Sequence, residues 1–201
     1  MNTSKKAGSA VAFLLKLLLV AVFITPFYVA IVYALKSPEE TMKTGLAFPK
    51  AIYWQNFTEA IEVSNFWVAA KNSLIITVVS VVILMVVCSM AAYIIARNMR
   101  SKFFQSFYYV FLAAMMLPFQ VVMLPLYVEL KDLGMLNTRI GMILTICGFQ
   151  LAYNVFVYVG FVRGIPIEME EAAYMDGAGR FYTFWKIVFP LLKPTIATVA
   201  I

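Results

Sequence analysis

The chain has 201 residues, of which 63% are hydrophobic and 13% charged, and its formal net charge is +6. A water-soluble domain is roughly half apolar and a quarter charged, so the composition excludes one and indicates a polytopic membrane protein. Histidine is absent and both cysteines, Cys88 and Cys147, sit inside apolar runs. That removes the usual proton shuttles, most zinc sites and any disulfide framework.

Residues 10–35 form the first apolar run, interrupted by Lys16, Thr25 and Pro26. It is longer than the ~20 residues a span needs and about twice a signal peptide's apolar core, so a retained first span is expected. The hydrophilic stretch 36–66 follows. In it Asn56 or Thr58 is expected to cap a short interfacial helix, with Trp54, Phe57, Phe66 and Trp67 as aromatic anchors. A second span is expected over 68–96, where Ser89, Ala92 and Ala96 recur at helical spacing and favour close helix packing.

A basic turn, 97–102, leads into an expected third span over 103–128 that contains Pro118, Gln120 and Pro125. After a polar loop around Gly134, a fourth span is expected over 140–162, carrying Gln150 and Asn154. Gln120, Gln150 and Asn154 are candidates either for lining a pathway or for hydrogen bonding between helices. The last apolar run, 187–201, is too short to span, so the chain is expected to be C-terminally incomplete, ending inside a fifth span.

With a cytoplasmic N-terminus, the inner segments would hold Lys5, Lys6, Lys16, Arg97, Arg100, Lys102, Arg163, Arg180, Lys186 and Lys193. The outer ones would hold Lys36, Lys43, Lys50, Lys71, Lys131 and Arg139, matched by six acids. The positive-inside rule therefore places 163–190 in the cytoplasm. No Asp or Glu lies in the middle of an expected span. This argues against ion-coupled secondary transport and against an intramembrane aspartate or zinc enzyme. An assembly or scaffold protein would need no pathway, and only the polar stretch 163–190 argues otherwise.

That stretch opens like a helix. Pro166 suits a first helical position, and Glu168, Glu170 and Glu171 favour a helix N-terminus. Gly177 is a natural stop, and Ala172, Ala173, Ala178 and Gly179 would let another backbone approach. Glu171-Ala172-Ala173, three residues, Gly177, nine residues, Ile187 and then Phe189-Pro190 resembles the signature loop of ABC importer permeases. Phe189 stands where that family usually has leucine. Asn72-Ser73-Leu74, Ala91-Ala92-Tyr93 with Ala96-Arg97, Leu124-Pro125-Leu126-Tyr127, residues 133–138 and Ile165-Pro166 are similar to its carbohydrate-uptake branch.

The resemblance implies an all-α polytopic helix bundle forming a single permease domain over 1–201. It would have four full spans, a truncated fifth and cytoplasmic coupling helices within 163–190. It implies a subunit that does no chemistry and binds no metal or cofactor itself, ATP and Mg being held by two copies of an ABC ATPase subunit. The other implied partners are a second homologous permease subunit in a heterodimer, an extracellular solute-binding protein and the lipid of a bacterial or archaeal plasma membrane. No nucleic acid is implied, and the solute would be a sugar or related compound. Coupling would fall to Glu171, Ala172, Ala173, Asp176, Gly177, Ala178 and Pro190. Phe181, Tyr182, Phe184 and Trp185 would anchor the second half of the loop at the headgroups.

Overall fold

A computed structural model describes the backbone over residues 3–200 and the side chains over 12–199. Lys5, Lys6 and Ile201, used in the expectations above, lie outside the residues whose side chains are described. Among the described residues every regular element is helical. Contacts divide the chain into two compact units, Met1–Ala70 and Lys71–Ile201.

The first unit begins with α1, Thr3–Ala34, of which Ala12–Ala34 is long and apolar enough to cross a membrane. Its described face is exposed apolar surface, with Phe23 and Phe27 about 70% accessible, which suits a helix solvated by lipid or by other helices. Two short helices follow, α2 at Pro38–Thr44 and α3 at Gln55–Val63. Helix α2 lies in the stretch expected to be hydrophilic loop, although it carries its own start signal. Ser37 accepts a hydrogen bond from the Glu40 amide, and Pro38 occupies the first turn.

Neither Asn56 nor Thr58 caps α3 as expected, since Trp54 holds the cap position and no side chain caps it. The Asn56 side-chain amide donates to the carbonyls of Ala34 and Lys36 at 2.9 and 2.7 Å, and the Tyr53 amide donates to Leu35 at 2.9 Å. These donors satisfy carbonyls left open at the end of α1, a stronger demand than a cap at an exposed helix start. Lys36, read as an outer loop charge, is 1% exposed. Its ammonium donates to the Gly45 carbonyl at 2.6 Å and to Thr44 Oγ1 at 2.9 Å, closing α2 back onto the end of α1.

The boundary between the units falls within α4, Phe66–Arg97, the second helix long enough to span. It is separated from α3 by Asn65, whose φ of 47° breaks the helical path. The segment expected as one third span is instead two helices, α5 at Lys102–Met115 and α6 at Phe119–Asp132, bent by 99°. Pro118 lacks an amide proton and pushes Leu117 out of the helical region, so the helix stops and restarts. Pro118 itself is extended, with ψ 141°, while Pro125 lies inside α6 without ending it. The long helix α7 covers Arg139–Gly164. Among the described residues three helices are thus long and apolar enough to cross a membrane, and a fourth crossing results if the bent pair is one span.

After α7 come α8 at Glu168–Met175, α9 at Arg180–Thr183, a π-helical turn at Phe184–Val188, α10 at Phe189–Leu191 and α11 at Lys193–Ala200. The π-turn precedes Pro190, which has no amide to continue an α-helical ladder. The core of the second unit draws on three stripes at helical spacing. They are Leu84, Cys88 and Ala92 of α4; Val155, Val159 and Val162 of α7; and Phe184, Val188 and Leu192 after α9. Small residues let α4 pack closely, since Cys88, Ser89 and Ala92 are all fully buried. Cys88 and Cys147 are free thiols in this packing, as expected of small hydrophobic residues.

Candidate functional site

The polar stretch after α7 folds around the eight-residue helix α8. Ile165 is extended ahead of Pro166, so α7 must end there. The new helix starts two residues after Pro166, at Glu168, with three glutamates in its first turn. Its stop is a complete left-handed cap. Gly177 has φ 81°, its amide donates to Tyr174, and the Ala178 amide donates back to Ala173. These two bonds satisfy carbonyls that the helix end leaves open, and glycine is the residue that adopts this φ without strain.

A helix this short is marginal by itself, so its tertiary contacts decide whether it forms. One face supplies them. Glu170 is 2% exposed and Ala173 8% exposed, while Glu171, Ala172, Asp176 and Gly177 face outward. Met175, at 89%, is the most exposed apolar residue of the helix. The expected coupling residues are therefore divided. Glu171, Ala172, Asp176 and Gly177 form an outward surface, Ala173 packs inward, Ala178 is half-buried, and Pro190 is exposed farther along in α10.

The inward contacts centre on Glu170, which the sequence reading treated only as a helix-start charge. Its Oε1 accepts from Arg97 Nε at 2.7 Å and lies 2.6 Å from Arg97 Nη2, while its Oε2 accepts from the Tyr93 hydroxyl at 2.7 Å. The Tyr93 and Tyr174 hydroxyls are 3.1 Å apart, and Arg97 Nη2 also donates to the Ile165 carbonyl at 3.0 Å. Tyr93 and Arg97 lie one turn apart on α4, and Glu170 and Tyr174 one turn apart on α8, so two short side-chain ladders meet. Arg97 is 16% exposed, so both charges are largely removed from water and each depends on the other.

A cavity of about 720 Å³ adjoins this cluster, lined among others by Arg97, Phe104, Glu171, Arg180 and Phe181. Phe184 is not a headgroup anchor as expected. It is 3% exposed, with its ring 5.2 Å from that of Tyr93, because the π-turn directs it into the core. Phe181 and Tyr182 remain exposed, and Trp185 is half-buried against Phe189, with centroids 4.8 Å apart.

The three polar candidates at membrane depth do not share one environment. Gln120 at the start of α6 and Gln150 in α7 are exposed, and Asn154 is buried, 4% exposed, in the second unit. Among the described residues no group of histidine, cysteine or acidic side chains could hold a metal ion.

Residues 88–201, which include the α4 end and all of α8, match the family model described as the binding-protein-dependent transport system inner membrane component. The chain belongs to this family. It is similar, at 38% identity over 93% of its length, to a Thermoanaerobacterium thermosulfurigenes protein described as a probable starch degradation products transport system permease protein. It is 36% identical over 88% of its length to the multiple sugar-binding transport system permease protein of Streptococcus mutans.

These matches cover 68% and 64% of the relatives, so the chain spans about two thirds of their length. Its fold follows a chain in the crystal structure of a bacterial ABC transporter involved in the import of the acidic polysaccharide alginate. The TM-score is 0.85 at 23% identity, over the whole of this chain and 70% of that one. The protein is thus a multi-pass membrane component of the inner-membrane family, whose relatives here are permeases rather than enzymes.

Proposed function

We propose that the chain is a transmembrane permease subunit of an ATP-driven, binding-protein-dependent importer of saccharides, and that residues 163–190 couple it to an ABC ATPase subunit. The observation that carries the coupling reading is the two-sidedness of α8. One face is tied into the second unit through Glu170 and Ala173, and the other leaves Glu171, Ala172, Asp176 and Met175 exposed. Such a helix is held from behind and open in front, as a docking element must be. The family membership supports the same reading, and the saccharide assignment is supported by the printed substrates of the two relatives.

The physical mechanism follows. Glu171 offers a carboxylate to a basic partner, Ala172 lets a facing backbone approach, and Gly177 ends the helix so that the chain can turn back. When two ATPase subunits close on ATP and reopen after hydrolysis, a helix seated in each would move with them. The permease converts that motion into alternating access, supplied from outside by a solute-binding protein. A second homologous permease subunit completes the pathway, to which the exposed Gln120 and Gln150 contribute polar groups, while the buried Asn154 serves packing within the second unit. The N-terminus is cytoplasmic in this arrangement.

The test is Gly177→Val in the assembled transporter. A β-branched residue is strained at φ 81°, although beyond the flanking residues the space where its Cβ would stand is open. The variant is expected to insert normally and to lose ATP-dependent saccharide uptake, with ATP hydrolysis no longer answering to the binding protein. Normal uptake overturns the coupling assignment.

A further inference from the structure

We propose that Arg97, Glu170 and Tyr93 form the latch that passes movement of α8 into α4, making α4 the membrane helix that takes up the coupling stroke. The proposal rests on the coupling reading above and deepens it by naming the receiving helix and the residues that grip it.

Chain connectivity alone suggests a different receiver. Helix α8 is covalently continuous with α7, through Ile165, Pro166 and Ile167. That connection is a bend rather than a rod, since Ile165 is extended and the helix does not resume until Glu168. A non-helical elbow absorbs rotation instead of transmitting it.

The non-covalent link to α4 is of another kind. Both oxygens of a 2% exposed carboxylate are engaged, Oε1 by the Arg97 guanidinium and Oε2 by the Tyr93 hydroxyl. Charge-assisted bonds from a planar guanidinium fix direction as well as distance, and a lysine ammonium would not. The same guanidinium also holds the Ile165 carbonyl, so one side chain of α4 clamps both the elbow and the helix that follows it. Tyr174, one turn beyond Glu170, meets Tyr93 and gives the grip a second point along α8, which resists rocking about the ion pair.

Arg97 is the last residue of α4, and four residues earlier Tyr93 packs on Phe184, so the latch sits where the helix enters the core of its unit. A cavity of about 720 Å³ lies beside the cluster, bordered on the α8 side by Glu170, Glu171 and Tyr174. Arg97, Glu170 and Tyr93 are positioning residues. They act through α8 and touch neither solute nor nucleotide. Glu170 and Glu171 then divide the work of two adjacent glutamates, the first gripping this chain and the second facing the partner.

The experiment uses the assembled transporter in membranes, with Arg97→Lys, Glu170→Gln and the charge exchange Arg97→Glu with Glu170→Arg. Three quantities are read for each: retention of the ATPase subunit, ATP hydrolysis, and the ATP-dependent change in maleimide labelling of a reporter, Lys71→Cys, near the far end of α4 in a background lacking Cys88 and Cys147. Lys71 is exposed and 26 residues from Arg97 on the same helix, so its labelling reports movement of α4 without any solute.

The single variants are expected to retain the ATPase subunit and hydrolyse ATP, while the labelling change falls about tenfold, within the coupling range of contacting side chains. The charge exchange is expected to recover part of it. An undiminished labelling change in Glu170→Gln and Arg97→Lys overturns the latch. So does lowered insertion of all variants with an unchanged response per inserted molecule, since the cluster would then be structural only. Glu171→Lys separates the two readings. Loss of the ATPase subunit in that variant, beside normal latch variants, sinks the latch alone, whereas full retention there sinks the coupling reading itself.

Discussion

Two neighbouring glutamates of identical chemistry end up in opposite environments. Glu170 and Glu171 are about 100° apart around α8, and only Glu170 points at Arg97. Removing one partner of a buried ion pair leaves the other charge uncompensated, whereas replacing both with apolar groups of similar size is close to neutral. Glu170→Ala is therefore expected to lower stability by about 3–5 kcal/mol, discounted somewhat for the partial exposure of Arg97. Thermal unfolding in detergent measures it, beside Arg97→Leu with Glu170→Leu, which is expected to lose much less. The motif resemblance singles out Glu171, but nothing in the sequence gives Glu170 its partner. A reader could have noted Tyr93 with Arg97, and Glu170 with Tyr174, each at a spacing of four, but not that the two pairs meet.

Helices in this chain begin and end where local chemistry dictates, and their neighbours decide the rest. The turn from α6 to α7 illustrates both. Gly134, at φ 64°, closes α6 with paired bonds from its own amide to Lys131 and from the Met135 amide to Leu130. Thr138 then caps α7, its hydroxyl oxygen accepting from the Gly141 amide at 3.0 Å. Gly141 has no conformational need to be glycine, but a Cβ there would clash with the Met135 carbonyl oxygen. That oxygen already accepts from the amide and the hydroxyl of Thr138, so it cannot easily retreat. Gly141→Ala is expected to cost about 1–3 kcal/mol by overpacking, seen as a lower melting temperature. Gly148→Ala, where the space is open, is the control and is expected to be neutral or better. The break between α5 and α6, bent by 99°, also has a local cause in Pro118.

At the scale of the whole molecule, the bent pair α5–α6 decides how often the described residues cross the membrane. If α5 and α6 together form one crossing, the basic turn 97–102 and the polar loop 129–139 lie on opposite sides. Arg100→Cys and Asp176→Cys are then expected to react with an impermeant maleimide from the cytoplasmic side only, and Lys43→Cys and Asn137→Cys from the outside only. Labelling of Arg100→Cys and Asn137→Cys from the same side makes the pair a re-entrant loop and reduces the count to three crossings. The charge distribution favours the first outcome, since the inner loops would carry most of the Lys and Arg. The exposed apolar faces of α1 and α4 are consistent with surfaces covered by lipid or partner helices in either case.

The stretch from Glu168 to Pro190 separates what each level of description determined. By sequence alone the chain was an all-helical membrane protein, because a bilayer imposes length and apolarity on each crossing regardless of packing. The spacing from Glu171 through Gly177 to Pro190 identified the loop, since a left-handed cap demands glycine at one position. Tertiary structure alone decided which face of α8 is gripped and which is open. It likewise turned Phe184 inward against Tyr93. Each of those outcomes depends on residues tens of positions away in the chain, as Arg97 is from Glu170, and such pairings leave no local pattern to read.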